Sequence, residues 1–317
     1  MYVQFWGVRG SIASPMRTEE YHGKIEEILQ LARDNDISTA DSTKKFIASL
    51  PDRLQHVTGG NTTCASVLCK SQNICIIDAG SGIRVLGDQM MKGPAGEGKA
   101  EVHLFFTHTH WDHICGLPFF KPIYIPGNKI HIYSPLDDIY ERLVYQQEDR
   151  FFPKTFDDLG SEKIFHKLDN KSPLTLEGDL EISFQKLRHP SGCYAYKFKQ
   201  AGKVFIFATD VELTGADLES PEEEHKFFDN ADVLVIDAQY TLDESFQKFD
   251  WGHTSITMAV NCALNWNVKK LILTHHEPAY NDHTLSENLF MAIEHAQILE
   301  RPDLEIELAR EGLSFTI

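Results

Sequence analysis

The sequence predicts an α/β protein in which buried strands, covered by helices, deliver functional groups from their ends to one shared edge. Three observations predict it. Apolar runs repeatedly stop at a polar or chelating residue: 74–77 before Asp78, 102–106 before His108, 204–208 before Asp210, 233–236 before Asp237 and 271–273 before His275. Between them lie segments with apolar residues at helical spacing, such as Ile256, Val260, Ala263 and Leu264. The chain has 317 residues and is 42% hydrophobic, enough for a real core in one large domain with an insertion.

Taken in order, Tyr2 to Trp6 alternates as a short strand and Gly7-Val8-Arg9-Gly10-Ser11 reads as a tight turn. Residues from about 13 to 56 leave strand chemistry. Ile25, Ile28, Leu29 and Ala32 fall on one helical face, and Phe46, Ile47, Leu50 and Leu54 on another. A helical insertion is expected there, packed on the domain, lying over the site as a lid, or buried against a second subunit. Thr58-Gly59-Gly60-Asn61 allows a close backbone approach, and short strands at 64–69 and 74–77 lead into a helix through Leu86 and Met90. Residues 92–98 read as a flexible surface loop. Ser220, Pro221 and Glu223 spell an N-cap, a first-turn proline and a capping-box glutamate, so the acidic run 222–224 is helix-start electrostatics and not a metal site. Thr284-Leu285-Ser286-Glu287 opens a last helix toward Leu299.

Thirty Lys+Arg against 47 Asp+Glu give a formal charge of −17. No overall attraction to a nucleic acid backbone or an anionic membrane is expected, and a long polyanion is a poor substrate. A small anion drawn by local cations remains compatible with that charge. The cysteines Cys64, Cys69, Cys75, Cys115, Cys193 and Cys262 are scattered, with no Cys-x-x-Cys pair, as buried thiols of a reducing compartment would be. Cys115 and Cys193 lie near candidate ligands in sequence. The start, Met1-Tyr2-Val3-Gln4-Phe5, carries no signal-peptide pattern, and no apolar run approaches membrane-spanning length, so a cytoplasmic protein is expected.

The densest chemistry is Thr107-His108-Thr109-His110-Trp111-Asp112-His113, directly after the apolar run 102–106. Three imidazoles and a carboxylate this close are costly to bury without a partner, and a metal is the natural one. In the order His-x-His-x-Asp-His, His108 and His110 can face one ion while Asp112 and His113 turn to a neighbouring one. Imidazole with carboxylate suits zinc, and also manganese, iron or cobalt.

At these residues the sequence resembles the metallo-β-lactamase-fold superfamily of metal-dependent hydrolases. Within it the chain is similar to the phosphodiesterase branch that includes tRNase Z and the cyclic-phosphate phosphodiesterases of phosphonate breakdown. The resemblance runs from Phe5-Trp6-Gly7-Val8-Arg9-Gly10-Ser11 to Leu273-Thr274-His275, apart from the stretch at about 13 to 56. It implies a four-layer αββα sandwich, and it makes a homodimer an expectation. It also implies the remaining ligands of a two-metal site. His189, in Leu187-Arg188-His189-Pro190, matches the family's histidine before a glycine-tyrosine-like strand start, although Cys193 intervenes before Tyr194. Asp210 occupies the place of the bridging aspartate, and His275, directly after Thr274, is preferred to His276 as the last ligand. The resemblance thus assigns His108, His110 and His189 to one ion, Asp112, His113 and His275 to the other, and Asp210 to both. Asp78 and Asp237 read as carboxylates that orient ligand imidazoles. Gly252-His253-Thr254-Ser255 resembles the family's Gly-His-Ser/Thr segment, which implies that His253 contacts the scissile phosphate from near a helix N-terminus.

The expected chemistry is hydrolysis of a small cyclic phosphodiester, a cyclic nucleotide or cyclic sugar phosphate. Zinc lowers the pKa of bound water from 15.7 to about 7, making a hydroxide available at neutral pH. Asp112 would orient the nucleophile, and His253 would stabilise phosphate oxygens or protonate the leaving alkoxide. Other classes share the His-x-His-x-Asp-His start. A tRNase Z-like endoribonuclease is opposed by the net charge and by the lack of a basic, glycine-rich arm. A thiolester or lactone hydrolase, or a mono-iron sulfur dioxygenase, is opposed by Gly252-His253-Thr254-Ser255. A nucleotide-binding sensor without turnover has no need of seven ligands.

Overall fold

Each buried apolar run forms a strand, and the strands sort into two sheets. The computed structural model describes residues 1–69, 74–176, 179–219 and 225–317, and every structural statement below concerns those residues. In the first sheet β1 (Tyr2–Gly7), β2 (Cys64–Leu68), β3 (Ile74–Ile77), β4 (Glu101–Phe105), β5 (Lys129–Ser134) and β6 (Glu162–Lys167) lie side by side in chain order. The second runs β7 (Leu174–Leu176), β8 (Leu180–Leu187), β9 (Cys193–Gln200), β10 (Lys203–Ala208), β11 (Val233–Asp237), β12 (Lys270–Thr274) and β13 (Glu305–Leu308). The final strand, β14 (Ser314–Thr316), returns to pair outside β1.

Strands β3 to β6 are parallel, as are β10 to β13. Parallel strands need cover on both faces, which explains the unbroken apolar runs. The helices that supply it are, in chain order, α1 (Thr18–Ala32), α2 (Ala40–Ser49), α3 (Asp52–Gln55), α4 (Gly82–Met90), α5 (Trp111–Ile114), α6 (Ile139–Gln146), α7 (Ala216–Glu219), α8 (Leu242–Gln247), α9 (Ile256–Asn265) and α10 (Asp282–Ile298). Val102, Leu104, Ile130 and Ile132 turn outward under Ile83 and Leu86 of α4 and Leu143 of α6. Their neighbours Phe105 and Tyr133 turn inward to meet Tyr196, Phe198, Phe205 and Phe207 of the opposite sheet. On the far side Ile206, Leu234, Ile236 and Leu271 pack under Ala259, Val260 and Ala263 of α9 and Ala292 and Ala296 of α10. The layers are therefore helix, sheet, sheet, helix, the αββα sandwich expected.

Residues 13–56 carry α1, α2 and α3, as the helical spacing predicts. Their own core is small: Ala32, Phe46, Leu50 and Leu54, with Ile28 against it. Leu29 and Ile47, expected on the buried faces, are exposed, because so short a helical unit covers only a narrow stripe of each helix. The Lys24 ammonium pairs with Asp282 at the start of α10, and α3 packs on α10.

Two boundaries differ from expectation. The last helix begins at Asp282, since the Asn281 side chain accepts the Thr284 N–H at 2.9 Å and caps it earlier than Thr284. The 92–98 stretch is not simply a surface loop: Pro94–Glu97 forms a 3-10 turn that buries Ala95. The helix start at Ser220 and Pro221 and the acidic run 222–224 lie outside the described residues. The six cysteines are free thiols, and no helix among the described residues is long and apolar enough to cross a membrane.

Candidate metal centre

The strand ends converge on one edge of the sandwich. His108 and His110 sit on the turn after β4, Asp112 and His113 on α5, His189 after β8, Asp210 after β10 and His275 directly after β12. Asp78, Asp210 and His275 all have left-handed backbones, with φ of 60°, 56° and 60°. Non-glycine residues held there cost on the order of 1–3 kcal/mol each, so the surrounding bonds over-determine them and aim their side chains.

Two groups result, His108, His110, His189 and Asp210 in one and Asp112, His113, His275 and Asp210 in the other. Asp210 belongs to both. Its Oδ2 lies 3.6 Å from His108 Nε2 and 3.8 Å from His189 Nε2. Its Oδ1 lies 3.1 Å from His113 Nε2 and 3.2 Å from His275 Nε2. Asp112 Oδ2 closes the second group at 3.2 Å from His113 Nε2 and 3.1 Å from His275 Nε2, and it accepts the Ser11 N–H at 2.8 Å.

The far side of each ring fixes its orientation. His113 Nδ1 donates to Asp78 at 2.8 Å, His189 Nδ1 to the Gly252 carbonyl at 2.8 Å and His275 Nδ1 to Gln239 Oε1 at 3.0 Å. Those protons leave the lone pair of each Nε2 facing the cluster. His110 presents its other nitrogen, with Nδ1 3.0 Å from His189 Nε2. The buried Nε2 atoms of His108 and His113 have no hydrogen-bond partner among the described residues.

Electrostatics point the same way. Burial would raise the Asp210 pKa, but His113, His275 and His108 outweigh it and hold the carboxylate well below its ordinary range. Burial likewise opposes ionisation of Asp112, and His113 and His275 overcome it. Desolvation keeps His108 neutral, whereas Asp210 and Asp112 draw His113 upward against its burial. Buried carboxylates facing convergent lone pairs demand positive charge, and divalent ions fit that demand with these nitrogen and oxygen donors.

His253 precedes α9 and donates Nδ1–H to Asp237 at 2.7 Å, with its ring stacked 4.9 Å from His275. Burial disfavours its cation, but Asp237, then Asp210 and Asp112, raise its pKa to about 9. His276 points elsewhere. Its Nε2 donates to the Ala309 carbonyl at 2.8 Å, and burial pushes its pKa down to about 3, so His275 is the one in the cluster. Near the site, Cys193 Sγ contacts the Thr209 carbonyl at 3.2 Å and Cys115 Sγ lies 3.6 Å from Thr62 Oγ1.

The family described as "Beta-lactamase superfamily domain" matches residues 73–276, which include every residue of the cluster except Ser11. The chain belongs to the beta-lactamase superfamily. It is a hydrolase of the metallo-beta-lactamase fold, and that fold implies divalent metal ions. Among curated relatives, ribonuclease Z of Listeria welshimeri is 27% identical over 310 residues, covering 83% of this chain and 95% of that one. Ribonuclease Z of Prochlorococcus marinus is 26% identical over 229 residues, covering 56% of this chain and 70% of its own. Among solved structures, the metallo-beta-lactamase fold protein YhfI of Bacillus subtilis shares the fold at a TM-score of 0.63 with 16% identity, covering 99% of this chain and 98% of its own. The short form of human tRNase Z aligns at 0.60 with 17% identity, covering 100% and 99%. A diphosphatase from the PhnP family aligns at 0.59 with 16% identity, covering 100% and 97%.

Several supporting groups of this superfamily site were not legible in sequence. Gln239 not only accepts from His275 but donates Nε2–H to Glu277 at 2.9 Å, and a lone glutamine carries no pattern. Buried Glu212 accepts the Asp250 N–H at 3.0 Å and the Gly252 N–H at 2.9 Å, fixing the turn whose carbonyl orients His189. Gly252 is also required sterically. Its φ is 89°, and a Cβ would stand 2.3 Å from His189 Nδ1. Gly252→Ala is expected to displace that imidazole, with a loss of about 1–3 kcal/mol of stability from backbone strain alone. Denaturant unfolding and metal titration of the variant measure both effects.

Proposed function

We propose that this chain is a dinuclear metal-dependent phosphodiesterase acting on a small cyclic phosphodiester, a cyclic nucleotide or cyclic sugar phosphate. The observation that carries the reading is the division of Asp210, with Oδ1 toward His113 and His275 and Oδ2 toward His108 and His189. On this reading His108, His110 and His189 would hold one ion and Asp112, His113 and His275 the other, with the Asp210 carboxylate available to both. Zinc leads, with manganese, iron and cobalt compatible with the same donors. When bound, two such ions supply an activated water and positive charge against the phosphoryl group.

The chain's own residues do the rest. Asp112, held by the Ser11 N–H, orients the attacking water. His253, kept protonated by Asp237, donates its Nε2 proton to the leaving alkoxide as the P–O bond breaks, and Asp237 stabilises the imidazolium until then. Water adds across one P–O bond, so the product is a phosphomonoester. The formal charge of −17 supports a small substrate over a long nucleic acid. A cytoplasmic homodimer without membrane attachment belongs to the same reading.

A second reading is an endoribonuclease on tRNA. It is favoured by relatives named ribonuclease Z that align over 83% of this chain and 95% of their own. A turnover panel of cyclic mononucleotides, cyclic sugar phosphates, linear dinucleotides and a tRNA precursor separates the two. Preferential cleavage of a cyclic phosphodiester is expected, and cleavage of the tRNA precursor alone would replace the first reading with the second.

A further inference from the structure

One histidine of the metal centre is oriented by a group that could face either way. His113 donates Nδ1–H to the Asp78 carboxylate at 2.8 Å, and His189 donates its own to the Gly252 carbonyl at 2.8 Å. A carboxylate and a backbone carbonyl only accept, so each fixes its ring by its chemistry alone. His275 instead meets the side-chain amide of Gln239, with Nδ1 3.0 Å from Oε1. An amide carries an acceptor at one corner and donors at the other. Turned over, it would present N–H to the imidazole, and Nδ1 would have to accept. The proton would then sit on Nε2, the atom that faces Asp112 and Asp210, and that nitrogen could not bind an ion.

Glu277 prevents the turn. Its Oε2 accepts Gln239 Nε2–H at 2.9 Å, which holds the amide nitrogen toward Glu277 and the amide oxygen toward His275. Gln239 Nε2 also lies 3.3 Å from Ser11 Oγ, but a hydroxyl both donates and accepts and so sets no direction. Gln239 is buried, and its backbone N–H is tied to Asp237 Oδ1 at 3.0 Å. Glu277 is held in turn. Its carbonyl accepts from Arg9 Nη1 at 3.2 Å and from the Tyr280 N–H at 3.0 Å, and Lys248 Nζ stands 3.6 Å from its Oε2.

From this chain of contacts we infer that Glu277 is a positioning residue for the metal centre. Acting through Gln239, it fixes which nitrogen of His275 carries the proton, and thereby the affinity for the ion that Asp112, His113 and His275 would hold. The inference rests on the two-ion reading of the site and not on the phosphodiester as substrate.

The test uses the full chain titrated with zinc. Glu277→Met keeps the length of the side chain and removes the acceptor. In chelator competition, the zinc equivalent that His113→Ala abolishes should bind about 10- to 100-fold more weakly, and the other equivalent should be unchanged. In proton NMR of the zinc-loaded protein, the His275 Nδ1–H, assigned by its loss in His275→Gln, should move upfield and exchange faster with water. Exchanging the two side chains, Gln239→Glu with Glu277→Gln, sets an obligate acceptor against His275 and a donor behind it, and should restore both readouts. Gln239→Glu alone sets two carboxylates against each other and should restore neither. Circular dichroism establishes that the variants fold. Native zinc affinity with an unmoved Nδ1–H in Glu277→Met would overturn the inference, as would a wild type without a zinc equivalent sensitive to His113→Ala. A folded exchange variant no better than Glu277→Met would also overturn it, by marking Glu277 as purely structural. A protein that meets both zinc readouts yet cleaves no phosphodiester would sink the proposed reaction and uphold the positioning role.

Discussion

Asp210→Ala should lower turnover of bis(p-nitrophenyl) phosphate by about a thousandfold or more while leaving the chain folded. The reason is the position of its carboxylate. One oxygen serves each imidazole group, and the left-handed backbone at φ 56° aims it between them. Removing it withdraws the carboxylate common to both groups at once. Asp210→Asn keeps the shape but halves the acceptor capacity and removes the charge, so it should be nearly as damaging. His108→Ala, which empties one group, should fall in the same range. Circular dichroism establishes that the variants fold, and a folded variant with near-native turnover would remove Asp210 from the centre of the account.

The second large effect is expected at His253. If the ring protonates the leaving group as proposed, replacement by Gln should cost about 10²- to 10⁴-fold in kcat with little change in metal content. The pH profile carries the signature. Burial opposes charge on this imidazole, but the bond to Asp237 and the charges of Asp210 and Asp112 raise its pKa to about 9 in the metal-free chain. Its folded value is raised, so the stabilisation it contributes is complete below the ordinary histidine value near 6.5 and is lost as pH rises through about 9. Bound dications would offset the Asp210 and Asp112 part of that rise and leave the Asp237 bond, so activity should decline on the alkaline side at a pH below the metal-free value. Asp237→Asn should shift that decline to lower pH, whereas a merely structural role for Asp237 would lower activity equally at every pH.

What was legible in the sequence follows from how each feature is encoded. The apolar runs of β3, β4, β10, β11 and β12 are readable because parallel strands buried on both faces must be apolar throughout. The residues that end them are readable because each departs sharply from the run before it. His275 and His276 are indistinguishable by that logic, and only the backbone turn at φ 60° sends His275 inward while His276 bonds Ala309. Gln239, Glu212 and Ser11 act through contacts 36, 40 and 101 residues distant, to His275, Gly252 and Asp112. No local pattern encodes a partner so remote. The exposure of Leu29 and Ile47 was invisible for a related reason. Helical spacing names a candidate apolar face, but how much of it is covered depends on the small core shared by Ala32, Phe46, Leu50 and Leu54.

If two divalent ions share Asp210, elemental analysis of the purified, dialysed protein will count them. Two divalent ions per chain are expected in the wild type and fewer than two in Asp210→Ala, with His108→Ala and His113→Ala each retaining one. One iron per chain, unchanged by loss of Asp112 or His275 and without phosphodiesterase activity, would contradict that expectation.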